Sequence, residues 1–139
     1  GPVVSPATVH QSKFSMGTVL ALAARFGHAG LTEFDTDYLA PDTVALREKV
    51  SMVLDPEVDG AYRRRWLGRV SVQTTDGRQL TGRVDEPKGD PGNSLSRQEI
   101  TDKALRLAAY GGAVPAAQAQ AAVQRLWQVA QWPRVGPLL

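Results

Sequence analysis

The tripeptide Lys13-Phe14-Ser15 puts a cation and a hydroxyl two residues apart, just ahead of an apolar run. At the amino end of a helix such a pair would hold a carboxylate, because the first N–H groups lack helical partners and the helix dipole favours an anion there. The plainer reading is a solvated lysine and a first-turn serine. A second candidate is the stretch Pro87-Lys88-Gly89-Asp90-Pro91-Gly92-Asn93, in which Lys88 and the N–H groups of Gly89 and Gly92 could close over an anionic ligand. The same loop would serve equally as an interdomain contact or as a rigid connection. Arg63-Arg64-Arg65 beside Trp66 forms a third group, for which a solvated strand edge outweighs an anion patch.

Other chemistry is thinly represented. His10 lies in a segment that reads as extended, where a lone histidine usually makes one local hydrogen bond, and His28 stands equally alone. The acidic pairs Asp35/Asp37 and Asp85/Glu86 are accounted for by capping and solubility, and no His or carboxylate cluster has metal-ligand spacing. With no cysteine there is no thiolate nucleophile or disulfide, which fits a reducing compartment, and the expected location is the cytoplasm. Sixteen Lys+Arg against fourteen Asp+Glu leave a net charge of +2, too little and too interspersed for a nucleic-acid surface. The longest apolar run, Val19 to Ala24, is far short of the roughly 20 residues that span a bilayer, so no membrane association is expected. Gly1 to Val9 reads as the inside of a longer polypeptide.

These residues must be positioned by secondary structure, and the pattern is mixed. Ser12 to Phe26 predicts a helix apolar on nearly every side, wanting burial all round, with Gly27 as its stop. Thr32 and Asp35 have capping-box spacing for a short helix that Pro41 ends, and Asp42 caps a third helix running to Lys49. Val50, Met52 and Leu54 then alternate as in a strand, terminated by Asp55-Pro56. Val70, Val72 and Thr74, then Asp76-Gly77, then Leu80 and Val84 predict a hairpin with a type I′ turn, weakened or bulged at Gly82. Ser96 and Glu99 form a capping box with Leu95 and Ile100 as the staple, so a helix should start at Arg97 and stop at Gly111-Gly112. A last helix opens with Pro115 at its first position and is limited by Pro133; Trp127 and Trp132 near its end would pack on further structure. The fold class that follows is α+β: a two-layer sandwich with a mostly antiparallel sheet covered by helices, ending in two C-terminal helices.

The order of these pieces carries more than any one of them. Lys13-Phe14-Ser15 heading an apolar helix, Lys49-Val50, Asp55-Pro56-Glu57, the Asp76-Gly77 hairpin, Pro87 to Asn93 and the Ser96 to Lys103 helix start together resemble the C-terminal half of the MmgE/PrpD family, the 2-methylcitrate dehydratase type, across nearly the entire chain. The resemblance implies a two-domain enzyme, with a helical domain and a smaller α+β lid. Residues 1–95 would be the lid region, and residues 96–139 the helices that close it or pack on the helical domain.

Activities in that family are dehydration of 2-methylcitrate or citrate, decarboxylation of cis-aconitate and epimerisation of iminodisuccinate, without metal or cofactor. Each removes a proton or carboxylate beside a carboxyl group, which requires a base, an acid and cations that hold carboxylates. The resemblance thus implies a cofactor-independent lyase or isomerase of small polycarboxylates. Its partners would be the N-terminal helical domain, in the same or another chain, and a second copy in a homodimer. The family's catalytic His, Asp and Lys residues mostly precede the Lys-Phe-Ser segment, so no catalytic role transfers to this chain; substrate contacts are expected at Lys13, Ser15, Lys88 and Gly89. Thr18 stands where decarboxylases of the family carry an aromatic residue, which speaks against that chemistry. The alternatives are a stand-alone noncatalytic binding module and one subunit of a split enzyme.

Overall fold

The computed structural model describes residues 3–134 and 136, and it divides into two compact units, the first running to Val53 and the second starting at Leu54. The expected boundary between lid and closing helices, after Leu95, falls inside the second unit. Gly1, Pro2 and the last residues of the 96–139 segment lie outside the described residues.

The first unit is helical. Helix α1 spans Val9–Ser12, α2 Met16–Phe26, α3 Leu31–Asp37 and α4 Pro41–Arg47. The single helix expected over residues 12–26 is two, because Ser15 takes an extended conformation and starts a new helix with its own side chain. His10 accordingly belongs to a helical turn, not to an extended segment. Gly27 ends α2 in the left-handed region at φ 77°, as expected. Pro41 opens α4 at its first position, where its missing N–H costs nothing, instead of closing α3. The cap of α3 also differs from the expected Thr32/Asp35 pair: Glu33 Oε2 accepts from the Gly30 N–H at 2.9 Å. The longer glutamate reaches back across one turn, which the aspartate does not.

Packing is centred on α2, which lies mainly against α4 and also touches α3. Ala21, Leu22 and Phe34 are buried with Ser12, Ser15, Thr18 and Thr43. Burial of α2 is therefore one-sided: Phe14 just before it and Met16 remain 67% and 49% exposed, because only one flank has covering helices. Arg25 of α2 reaches across that flank, donating to Thr43 Oγ1 at 2.5 Å and lying 3.4 Å from Asp37 Oδ1.

In the second unit α5 spans Pro56–Ala61, β1 Gly68–Gln73, β2 Gln79–Val84, α6 Arg97–Gly111 and α7 Ala116–Trp127. Residues 50–54 form no strand, which corrects the expectation; strand geometry is held by a partner's hydrogen bonds, and the only described sheet is the two-stranded β1–β2 ribbon. Asp55-Pro56 starts a helix, with Asp55 Oδ1 accepting from the Glu57 and Val58 N–H groups and Pro56 at the first position.

The antiparallel hairpin stands where the valine alternation put it, in unbroken register from Gly68↔Val84 to Gln73↔Gln79, so Gly82 marks no bulge. Its turn is not type I′. The Gly77 N–H donates to the Thr74 carbonyl at 3.0 Å, and Gly77 alone has positive φ, 87°, giving a type I turn followed by a left-handed glycine. Residues on both faces of the ribbon are exposed.

Helices α6 and α7 close the chain as expected and pack on one another. The capping box is present in both directions: Ser96 Oγ accepts from the Glu99 N–H at 3.2 Å, and Glu99 Oε2 from the Ser96 N–H at 2.7 Å. Gly112 at φ 63° stops α6. Pro115 sits one place earlier than expected, as the N-cap of α7. Trp127 packs back within this pair, its Nε1 donating to Thr101 Oγ1 at 3.0 Å beneath the Arg97 guanidinium.

Candidate functional site

The first turn of α2 gathers more unsatisfied polar chemistry than any other described place in the first unit. Ser15 is fully buried; its Oγ accepts from the Thr18 N–H at 3.3 Å and its carbonyl from the Val19 N–H at 2.9 Å. Its hydroxyl is thus committed to capping, which is the plainer of its two readings. Lys13 stands exposed at the end of α1, its side chain without an ion pair among the described residues.

Two further groups on α2 and α4 of the same unit were not singled out by the sequence for this purpose. Thr18 Oγ1 is buried and makes no hydrogen bond, and Arg47 Nη1 is buried without a partner. Arg47 comes from the end of α4, and its Cγ would lie 3.0 Å from a Cβ placed on Gly17, so the bare glycine is what lets the arginine stem lie against this turn. A buried hydroxyl and a buried guanidinium N–H without acceptors are costly unless something supplies them. The only sequence signal for this was Gly17, a poor helix former at a position where alanine would otherwise be better.

The Pro87–Asn93 loop is closed on itself. Gly89, at φ 106°, donates its N–H to the Asn93 carbonyl at 2.8 Å, Asn93 Nδ2 donates to the Glu86 carbonyl at 3.0 Å, and a 3₁₀ turn spans Pro91–Asn93. Lys88 Nζ lies 3.0 Å from Glu99 Oε1, tying the loop to the first turn of α6. The Ser96 N–H and the Lys88 ammonium hold the Glu99 carboxyl down at about 2. Lys88 and Gly89 therefore already have internal partners. The structure brings Lys13 and Ser15 to neighbouring positions in the first unit, while Lys88 and Gly89 belong to the second.

The remaining sequence candidates have local roles. His28 Nε2 lies 3.3 Å from Glu33 Oε1, and the backbone N–H groups of Glu33 itself and Gly30, with His28, keep that carboxyl below its usual range. His10 packs on the Phe14 ring at 5.1 Å. Asp37 belongs to the Arg25 contact and Asp85 to an ion pair with Arg83. Among the described residues no group of three or more His, Asp or Glu is arranged to hold a metal ion, and no helix is long and apolar enough to cross a membrane.

A second concentration of charge joins α5 to the hairpin. Glu57 receives both Arg69 and Arg83, Arg69 also reaches Asp55 at 2.8 Å, and Arg83 reaches Asp85 at 2.8 Å. Arg83 and Arg69 lower the Glu57 pKa, and Asp55 is lowered chiefly by the Val58 N–H. Every carboxylate here has a guanidinium, so the cluster is a tie between elements and offers no base.

The family model described as the MmgE/PrpD C-terminal domain matches residues 1–129. No curated protein and no solved structure matches the chain.

Proposed function

The chain belongs to the MmgE/PrpD family, as its C-terminal domain, and from that premise we propose that it is the lid-bearing part of a cofactor-independent lyase that dehydrates a small polycarboxylate such as 2-methylcitrate or citrate. The observation that carries this reading is the match over residues 1–129, joined to an arrangement in the first unit suited to a carboxylate: exposed Lys13, the capped amino end of α2, and the buried Thr18 hydroxyl and Arg47 N–H without acceptors. A carboxylate oxygen accepts hydrogen bonds only, which is what an orphan guanidinium N–H and a free hydroxyl can donate.

In this reading residues 1–95 form the lid and residues 96–139 supply helices that pack on an N-terminal helical domain, which provides the base and acid. This chain binds and encloses the substrate; it does not move its protons. Lys88 and Gly89 act in the Pro87–Asn93 loop, with Lys88 exchanging Glu99 for a substrate carboxylate when that ion pair opens. The assembled enzyme is a homodimer in the cytoplasm.

The test is turnover of 2-methylcitrate and citrate by the complete polypeptide. Lys13→Ala should raise KM about tenfold with kcat little changed, since an exposed cation that holds a carboxylate contributes similarly to ground and transition states. Absence of turnover with every tricarboxylate tried refutes the activity. An intact protein no larger than 15.0 kDa, with no companion subunit, would point instead to a noncatalytic binding module.

A further inference from the structure

The three arginines of the hairpin are each matched to carboxylates, and those of the turn before it are not. Arg69 has Asp55 and Glu57, Arg78 has Asp76, and Arg83 has Glu57 and Asp85. Arg63, Arg64 and Arg65, between α5 and β1, make no ion pair among the described residues; Arg64 donates to the Gly60 carbonyl at 3.5 Å. All three are exposed.

The turn that carries them has a definite shape. Arg63 takes φ 78°, the one positive φ among the described non-glycine residues, in a region that L side chains seldom adopt. The N–H groups of Arg64 and Arg65 both return to the Ala61 carbonyl, at 3.0 Å each. On either side in sequence, Tyr62 and Trp66 pack edge to face, ring centroids 5.5 Å apart, and both stay exposed. Three guanidiniums without carboxylate partners are therefore held on a closed turn flanked in sequence by two paired aromatic rings. Arg65 also lines one side of a shallow cleft whose other walls include Arg83, Asp85, Glu86 and Asn93.

We propose that this turn docks an acidic peptide segment of a partner protein. Guanidinium forks match carboxylates in two-point contact, and exposed Tyr and Trp rings supply the apolar body found at protein interfaces. The charge layout favours a peptide over nucleic acid. A phosphate backbone bears a charge at every residue along its track and would run onto Asp59 of α5, just before the turn, and onto Asp85 and Glu86, which line the same cleft as Arg65, whereas two or three carboxylates in a row meet only the arginines. A chain net charge of +2 gives no wider field to offset that repulsion.

The experiment is fluorescence anisotropy with the full chain and two labelled probes, a peptide of three consecutive glutamates flanked by glycine and serine and a twelve-residue oligothymidylate, at low salt. The triglutamate peptide should bind, and the triple variant Arg63→Ala/Arg64→Ala/Arg65→Ala should bind it at least about tenfold more weakly. A triple Arg→Lys variant, which keeps charge and loses the fork, should fall between them. Arg78→Ala, removing an arginine already paired with Asp76, should leave the affinity unchanged. Circular dichroism checks that each variant is folded, and if the alanine triple is not, the lysine triple decides alone. No binding of the triglutamate peptide, equal binding by the variants, or tighter binding of the oligonucleotide each overturns the assignment.

Discussion

Replacing Thr43 by Val keeps the side chain's shape and removes the one hydroxyl that Arg25 Nη1 reaches at 2.5 Å. What remains for the guanidinium is Asp37 at 3.4 Å and Asp42 at 4.0 Å, both longer than a good hydrogen bond. A hydrogen bond to a charged group contributes about 1.5–3 kcal/mol, but water reaches a side chain that is 21% exposed, so the expected loss is about 1–2 kcal/mol. With a urea slope of roughly 1–2 kcal/mol per molar for so small a unit, the midpoint should fall by about 1 M. Far-UV circular dichroism reads the transition. Trp66, Trp127 and Trp132 all lie beyond Leu54, so tryptophan fluorescence reports the second unit and serves as an internal reference. A double-mutant cycle with Arg25→Met isolates the pair, and a coupling of about 1 kcal/mol is expected. If the two substitutions add within about 0.5 kcal/mol, the view that Arg25 binds α2 to α4 through Thr43 is wrong.

Three other outcomes follow from the second unit. Ser96→Ala removes half of a capping box and should cost about 1 kcal/mol, seen as lower helicity and an earlier thermal transition; an unchanged transition would mean the Ser96–Glu99 exchange is not stabilising. Gly77→Ala forces a Cβ into a left-handed turn position and should destabilise the hairpin by about 1 kcal/mol, read as faster amide exchange at Val72 and Leu80. The pH profile has a definite sign. Glu57, Asp55, Asp76 and Glu99 have folded pKa values below their unfolded ones, so their contributions are complete above the unfolded values and are lost as pH falls through the folded ones. Stability should be level above pH of about 5.5 and decline from about 4.5 towards 2, where Glu99 finally protonates; a rise on acidification would contradict these contacts.

The parts legible in the sequence are those whose causes are local. Ser96 with Glu99, Gly27, Gly111-Gly112 and the alternating valines of β1 each act within a few residues, and each element stands where they put it. Pro41 and Pro56 both open helices, whereas the sequence suggests that Pro41 ends a helix and that Asp55-Pro56 ends a strand. Pro41 and Pro56 are excluded from helix interiors but welcome at a helix start, and only the geometry of the preceding residue tells which applies. At Pro56 the preceding Asp55 was the overlooked cap. Residues 50–54 alternate like a strand, yet alternation states a preference for two faces and cannot supply the neighbour whose N–H and C=O groups make a strand. In the candidate site, Lys13 and Ser15 were visible as residue types. Thr18 and Arg47 were not, because their interest lies in lacking partners, a property of packing that no spacing encodes.

The stretch from Val50 to Leu54 has a colloidal consequence. It is without regular structure, uncharged and β-prone, with Met52, Val53 and Leu54 largely in water, the composition that pairs with copies of itself between molecules. It is also short and guarded. Lys49 precedes it, and Asp55 and Pro56 follow it: a charge at each end, and a residue that cannot donate to a growing ladder. The pair that starts α5 thus doubles as a gatekeeper, and replacing Asp55 and Pro56 together would lengthen a sticky run as well as unwind a helix.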